Sequence, residues 1–134
     1  MIKWPVKYTN YNGEEVEEDL YFNLNKAEVM EMQLEANNAY GEYLQSIVAK
    51  RDGKALAQEY RRLILKAYGE KSVDGRRFVK TQELTDAFEQ SEAYVTVYMQ
   101  LATEEGAAQK FIEGVMPKID NDANPNLEQH MTLI

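Results

Sequence analysis

"IKWPVKYTNYNGEEVEEDLYF", residues 2–22, alternates apolar and polar side chains on both sides of a central turn. Such alternation is typical of two β-strands that bury one common face, and the Asn12-Gly13 pair between them favours a tight turn. Pro5 lacks a backbone N–H and is therefore typical of a strand at the edge of a sheet. The sequence thus predicts an N-terminal β-hairpin whose first strand is an edge strand.

The register of this hairpin depends on the length of its loop. A two-residue Asn-Gly loop would put the apolar residues of the two strands on opposite faces, where they cannot be buried together. A three-residue loop, residues 11–13 with Gly13 in a left-handed bulge, brings them onto one face. The predicted pairs are Trp4 with Leu20, Ile2 with Phe22, and Tyr8 with Val16.

Helical periodicity occupies most of residues 25–116. The first helix is predicted from Lys26 with Asn25 as its N-cap, a second over residues 40–50, and the most regular one over residues 54–68. Three shorter helices are predicted to follow, with N-caps at Thr81, Ser91 and Thr103. The side chains expected to be buried are Val29, Met30 and Leu34 in the first helix and Tyr43, Leu44, Ile47 and Val48 in the second.

These patterns predict a mainly α, α+β fold, in which a β-hairpin over residues 1–24 is followed by a bundle of about five to six helices over residues 25–116. A chain of 134 residues fits one domain, which we place at residues 1–118. The polar segment 119–134 is predicted to be a flexible tail. No apolar run approaches the ~20 residues that cross a bilayer, and "MIKWPVKY" lacks the apolar core of a signal peptide. We therefore expect a cytosolic protein with no membrane partner.

Composition argues against several kinds of catalytic and metal site. The sequence has no cysteine, which excludes disulfides, thiolate zinc sites and cysteine nucleophiles. The single histidine, His130, lies in the predicted tail, so no Ser-His-Asp or histidine-metal site is expected. "DNDANPNLEQHM", residues 120–131, begins like a calcium loop, but Pro125 stands where a glycine is needed and Met131 replaces the closing glutamate. We predict no enzyme activity, no metal ion and no cofactor.

The formal net charge of -8 is unevenly distributed along the chain. Residues 1–50 carry four Lys or Arg against nine Asp or Glu, residues 51–80 carry nine against four, and residues 81–134 carry two against ten. A net-negative chain repels nucleic acid at long range, so we expect no nucleic-acid partner. The split charge favours a homo-oligomer in which acidic ends face basic middles, and such self-association would weaken as salt is raised from low to molar concentration.

The basic stretch "SVDGRRFVK", residues 72–80, lies between the most regular helix and the helix capped by Thr81. Its Asp74-Gly75 pair favours a tight turn or a small hairpin. The stretch has one glycine and no Lys-Ser/Thr pair opening a helix, in contrast to phosphate-binding loops. We interpret it as a connector in which Arg76 and Arg77 contact nearby carboxylates or a partner.

Two segments resemble the tail assembly chaperones of long-tailed bacteriophages. "DGRRFVKTQELTDAFEQSEAYVTVYMQLATEEGAAQKFIEGVMPK", residues 74–118, is similar to the C-terminal half of that family, including its closing Ile/Val-Met/Pro-Lys pattern. "NLNKAEVMEMQLE", residues 23–35, is similar to the first helix after the strand pair of the family. The order of the elements agrees, and the segment from Ile119 onward shows no resemblance.

The resemblance implies a non-enzymatic assembly factor that acts in the cytoplasm of the host cell. Such proteins are expected to bind the long helical tape measure protein and to recruit the major tail protein, which builds the tail tube. This role needs exposed apolar or aromatic surface on a soluble acidic scaffold. The residues predicted to bind partners are Phe88, Tyr94, Tyr98 and Phe111, as core or groove residues, and Arg76, Arg77 and Phe78, as a second contact patch.

Two functions of other classes are alternatives. The first is an acidic host-directed binding protein, such as a nucleic-acid mimic that inhibits a DNA-binding enzyme. It predicts a continuous acidic face, whereas the basic residues 51–80 interrupt the acids. The second is a small hydrolase, which would depend on His130 and on the segment 119–134.

Overall fold

The computed structural model describes residues 1–37 and 39–117, which form an antiparallel β-sheet packed against helices. In chain order the elements are β1 (Ile2–Thr9), β2 (Glu15–Phe22), α1 (Lys26–Glu35), α2 (Tyr40–Ala49), α3 (Gly53–Ala67), β3 (Tyr68–Lys71), β4 (Phe78–Val79), α4 (Gln82–Glu89), α5 (Glu92–Thr103) and α6 (Ala107–Val115). The predicted fold class, a mainly α protein with an N-terminal hairpin and about five to six helices, is confirmed. The predicted flexible tail, residues 119–134, lies outside the described residues.

The N-terminal hairpin has the predicted register. Trp4 lies opposite Leu20, and the other two predicted pairs are also present. Residues 11–13 form the loop, in which Gly13 has a φ angle of 77°, a left-handed conformation that glycine adopts without strain. β1 is at the edge of the sheet, whose strand order is β1-β2-β3-β4, so Pro5 occupies the kind of strand that the sequence predicted.

The basic connector supplies the turn and β4 of a second hairpin, in which β4 pairs with β3, and this hairpin extends the sheet. Asp74 and Gly75 lie at its turn, as predicted. The Asp74 carboxylate accepts hydrogen bonds from the Ser72 hydroxyl (2.7 Å) and the Arg76 backbone N–H (3.0 Å), and Gly75 has a φ angle of 73°. The sequence did not predict that this hairpin joins the sheet, because strands of four and two residues are too short to show an alternating pattern.

The core is centred on Phe22, whose side chain is 0% exposed. Its ring packs edge-on against Tyr68, Phe88 and Phe111, with centroid distances of 5.9, 5.9 and 5.0 Å. Helices α3 and α5 cover the same cluster with buried aliphatic side chains, namely Leu63, Ile64, Ala67, Val97 and Leu101. The inner face of the first hairpin is therefore sealed by helices from both halves of the chain.

The predicted apolar faces of α1 and α2 are partly wrong. The residues buried in these helices are Val29, Met32, Tyr40 and Ile47. Leu34, Tyr43 and Val48 are instead 40%, 43% and 54% exposed. For α2 the reason lies in Tyr40, whose hydroxyl donates to Glu59 Oε2 at 2.8 Å. Because the hydroxyl has this polar partner inside the fold, the Tyr40 ring can be buried. The helix face that carries Tyr40 and Ile47 then lies inside, and Tyr43 and Val48 are left exposed.

The predicted N-cap at Thr103 is also wrong. Helix α5 continues through Thr103, whose hydroxyl donates to the Met99 carbonyl at 2.6 Å within the same helix. Helix α6 starts at Ala107 after Gly106, which has a φ angle of 81° and makes no side-chain cap. The caps predicted at Asn25, Thr81 and Ser91 are all present.

Candidate partner-binding surfaces

Four residues predicted to bind partners lie in one chain of aromatic contacts. Phe88 contacts Tyr94 at a centroid distance of 5.7 Å, and Tyr94 contacts Tyr98 at 6.1 Å. Phe111 joins the chain through Phe22. Phe88, Tyr94 and Phe111 are buried and Tyr98 is half-buried. Three of the four therefore serve as core residues beneath the surface, and Tyr98 reaches it.

Helix α5 carries an uncovered apolar stripe, which we call the α5 seam and define as Val95, Tyr98, Met99 and Ala102. These positions follow the i, i+3, i+4, i+7 spacing of one helix face. Val95 is 41% and Met99 49% exposed. The opposite face of α5 lies in the core through Ala93, Val97 and Leu101, so the helix has apolar side chains on two of its faces. Tyr98 is half-buried against the core, whereas Val95, Met99 and Ala102 are exposed in the described part of the chain, which makes the seam a candidate docking surface.

The seam is held on a rigid base because α5 is fixed from several directions. Ser91 caps its N-terminus, accepting a hydrogen bond from the Tyr94 backbone N–H at 3.3 Å. The Trp4 indole N–H donates to Gln100 Oε1 at 2.7 Å and ties α5 to β1. On the other side α3 packs along the helix. A preorganised surface of this kind loses little conformational entropy on binding.

A second candidate surface is an open groove of about 520 Å³ between the two hairpins, which we call the hairpin groove. It exists because β3 pairs with β2 only at Tyr21 and Phe22, after which the hairpins diverge. Helices α4 and α5 close its base. Its lining includes Tyr8, Glu18, Asp19, Leu20, Tyr21, Tyr68, Gly69, Glu70, Lys71, Leu84 and Phe88.

The hairpin groove combines an aromatic floor with a negative potential. Tyr68 stacks on Phe88 with ring centroids 3.9 Å apart. The Tyr8 hydroxyl donates to Glu18 Oε1 at 2.6 Å, and burial together with this carboxylate raises the pKa of Tyr8 to about 12. Burial raises the pKa of Tyr68 as well, with further contributions from Glu70 and Glu18. The lining contains the acids Glu18, Asp19 and Glu70 against the one base Lys71 among the described residues, so the groove favours cationic ligands.

The basic patch predicted from the sequence lies on the second hairpin, apart from the aromatic chain. Arg76 and Arg77 are exposed, and neither forms an ion pair with a carboxylate in residues 1–37 and 39–117. Phe78 is half-buried, with the Lys80 ammonium 5.8 Å from its ring centroid. The expected clamping of carboxylates by the two arginines is therefore not seen within the described chain, and both guanidinium groups face solvent.

Sequence reasoning missed Lys80, which ties the second hairpin to α1. Its ammonium group donates to both carboxylate oxygens of Glu28 at 2.8 Å and to the Asn23 carbonyl at 2.6 Å. Burial lowers the pKa of Lys80, and Glu28 opposes that shift. Glu28 also completes a capping box with Asn25. The Asn-x-x-Glu spacing indicates this box, but no local pattern indicates a lysine 52 residues away.

The described part of the chain offers no metal or membrane-spanning feature. Within residues 1–37 and 39–117, no group of three or more His, Asp or Glu side chains is placed to hold a metal ion. Across the same residues, no helix is both long enough and apolar enough to span a bilayer. His130, on which a hydrolase would depend, lies outside this part.

Comparison with known proteins gives one match. No curated protein and no solved structure matches the chain. A protein family described as phage tail assembly chaperone matches residues 1–130. The match continues past Ile119, where the sequence alone showed no resemblance. It covers nearly the whole chain, which therefore belongs to the phage tail assembly chaperone family.

Proposed function

We propose that the protein binds helical segments of the phage tape measure protein through the α5 seam and catalyses no reaction. The observation that carries this proposal is the seam itself, an apolar stripe at helix-docking spacing on a helix whose other face is core. Family membership supports a tail protein as the partner. It also supports a site of action in the cytoplasm of the host cell, where tails are assembled.

A partner helix would bind by laying its own apolar stripe across the seam. Burial removes Val95 and Met99 from water, and each Å² of apolar surface buried contributes roughly 25 cal/mol. The seam spans two helical turns, so a single contact would be weak and reversible. Several copies on one long client would shelter it more strongly than any one contact does. Weak, repeated contacts suit a chaperone that later leaves the tail.

Substitution of Met99 by lysine tests this proposal. Met99→Lys places an ammonium group in the middle of the docked surface, and we expect it to weaken binding by at least about tenfold, the equivalent of ~1.4 kcal/mol. In co-expression with the tape measure protein of the phage, the soluble and co-purifying fraction of that protein should fall accordingly. The matched control is Val48→Lys, since Val48 is 54% exposed against 49% for Met99 and also lies in the last turns of its helix.

The control separates loss of docking from a general effect of added charge. Val48→Lys should keep the tape measure protein soluble to the same extent as the unchanged chaperone. The seam is not the docking surface if the tape measure protein is as soluble with Met99→Lys as with the unchanged chaperone. The same conclusion holds if both variants lower its solubility equally. A tape measure protein that stays equally soluble without any chaperone would overturn the proposed function as a whole.

We further propose that the tip formed by Arg76, Arg77 and Phe78 is a second contact, either with the major tail protein or with a neighbouring copy of the chain. Both arginines are exposed and unpaired within the described residues. A copy of this chain offers complementary acids in its first and last thirds. Contacts between exposed charges weaken in salt, so self-association that persists unchanged at molar salt would argue against this pairing.

A further inference from the structure

We infer that the hairpin groove binds an extended cationic segment of another protein, which adds a strand to the free edge of β2. This inference goes beyond the proposed docking of a helix, because it concerns a different surface and a different conformation of the bound chain. Strand addition supplies affinity through main-chain hydrogen bonds and specificity through alternate side chains.

The free edge follows from the pairing of β2. Its neighbour β3 pairs only with Tyr21 and Phe22, which leaves residues 15–20 without a partner on that side. Antiparallel strands alternate the direction of their backbone groups, and the Asn10 N–H donates to the Glu14 carbonyl at 2.9 Å in the first hairpin. Counting from this bonded pair, Glu17 and Asp19 direct their N–H and C=O groups away from β1.

The groove runs along this edge. Four consecutive residues of β2, residues 18–21, line it. Consecutive residues point to opposite faces of a sheet, so a groove that contacts all four must lie at the side of the strand. The opposite wall is formed by residues 68–71 of β3. An extended chain placed between these walls would therefore meet unpaired backbone groups of β2.

The charge of the hairpin groove determines which kind of segment binds there. Glu18 and Asp19 of β2 line the groove on one side, and Glu70 of β3 lines it on the other. Within residues 1–37 and 39–117, Lys71 is the one cation in the lining of the groove. Like charges oppose the pairing of this edge with β2 of a second copy, which is how many proteins protect an edge strand. Lysine or arginine side chains on an added strand would instead be attracted, and alternate apolar residues would face Tyr8 and Tyr68.

The binding test uses a labelled peptide of about eight residues that alternates lysine and valine, with fluorescence anisotropy as the readout. A lysine-proline peptide with the repeat Lys-Lys-Pro-Pro has the same charge, but either of its two edges lacks half of the backbone N–H donors. A glutamate-valine peptide reverses the charge. We expect only the lysine-valine peptide to bind. Absence of binding, or equal binding of the lysine-proline peptide, would overturn strand addition.

Two substitutions at Asp19 separate charge from backbone pairing. Asp19→Asn removes the carboxylate, whereas Asp19→Pro also removes the N–H that faces the free edge. The Asp19 N–H is not needed for pairing with β1, because it faces the free edge and the residue opposite it is Pro5. We expect the peptide affinity to fall about threefold with asparagine and at least about tenfold with proline, since one main-chain hydrogen bond is lost in addition. Equal losses would contradict the inference.

Hydrogen exchange of the unchanged protein gives an independent readout should Asp19→Pro fail to fold. The backbone amides of Glu17 and Asp19 should exchange several-fold more slowly when the lysine-valine peptide is added. The amide of Glu18, which faces β1, serves as the internal control and should keep its exchange rate. Unchanged exchange at Glu17 and Asp19 with saturating peptide would refute strand addition. It would not contradict the proposal that a partner helix docks on the α5 seam.

Discussion

Replacement of Phe22 by alanine is expected to lower the free energy of unfolding by about 3–5 kcal/mol, the range found for buried Phe→Ala changes. The ring is 0% exposed and contacts three other aromatic rings from β3, α4 and α6. Its removal would leave a cavity where these elements meet, and rigid rings cannot relax to fill it. Since small domains are stable by only ~5–15 kcal/mol, this substitution should remove a large share of the stability.

Urea unfolding, followed by far-ultraviolet circular dichroism, measures this change. The matched control is Tyr11→Ala, which removes a ring that is 75% exposed at the tip of the first hairpin, and it should change the free energy of unfolding by less than ~0.5 kcal/mol. A Phe22→Ala protein that unfolds at the same urea concentration as the Tyr11→Ala protein would show that the aromatic cluster is not the centre of the core.

Replacement of Gly69 by alanine is expected to destabilise the protein by about 1–3 kcal/mol, as overpacking in a core does. An added Cβ would lie 2.7 Å from Phe78 Cε2 and 2.8 Å from the Val79 carbonyl oxygen. The carbonyl belongs to the backbone of β4, so β3 and β4 would have to move apart. This shift would also alter the wall of the hairpin groove that β3 provides.

Gly41→Ala is the matched control for Gly69→Ala. Gly41 lies in α2, and among the described residues no side chain and no backbone beyond its own helix lies within 4 Å of the position where its Cβ would be placed. Alanine is favoured over glycine in helices by about 0.5–1 kcal/mol, so this variant should be slightly stabilised. The two glycine variants should therefore shift the urea midpoint in opposite directions, and a shift in the same direction would contradict the close approach of β3 and β4.

The first hairpin could be predicted in detail because its constraints are local. Its register follows from counting residues between two apolar strands, and a shift of one residue would expose Leu20 or Trp4. The N-caps at Asn25, Thr81 and Ser91 were also predictable, because a cap bonds to an amide only three residues ahead. In each case the pattern and its physical cause lie within a few residues of each other.

Features that depend on distant residues could not be predicted in this way. Tyr40 can be buried because Glu59, on another helix, accepts a hydrogen bond from its hydroxyl group. β3 is a strand because it pairs with Tyr21 and Phe22 of β2. The α5 seam could be recognised as apolar from the sequence, but which of the apolar faces of α5 lies in the core depends on Trp4 and Phe111. The sequence therefore predicted Tyr94 and Tyr98 of α5 as core or groove residues, and it did not show that Val95 and Met99 are exposed.

The alternative function, an acidic host-directed binding protein, is not supported by the family to which the chain belongs. Acids of the first hairpin do form one wall of a groove, but Lys71 lines the other wall, and the exposed Arg76 and Arg77 lie on the same second hairpin as Lys71. A mimic of nucleic acid would need an uninterrupted acidic face. The mixed charges suit contacts with several protein partners better.

Oxidation of methionine in the complex of chaperone and tape measure protein tests the docking surface most directly. Met99 and Met1 are 49% and 59% exposed, so peroxide should oxidise both in the free chaperone, and mass spectrometry can follow each sulfoxide separately. In the complex, the account predicts that Met99 is oxidised several-fold more slowly while Met1 keeps its rate. Oxidation of Met99 at the same rate in the free and the bound chaperone would contradict the proposal that the α5 seam shelters the client.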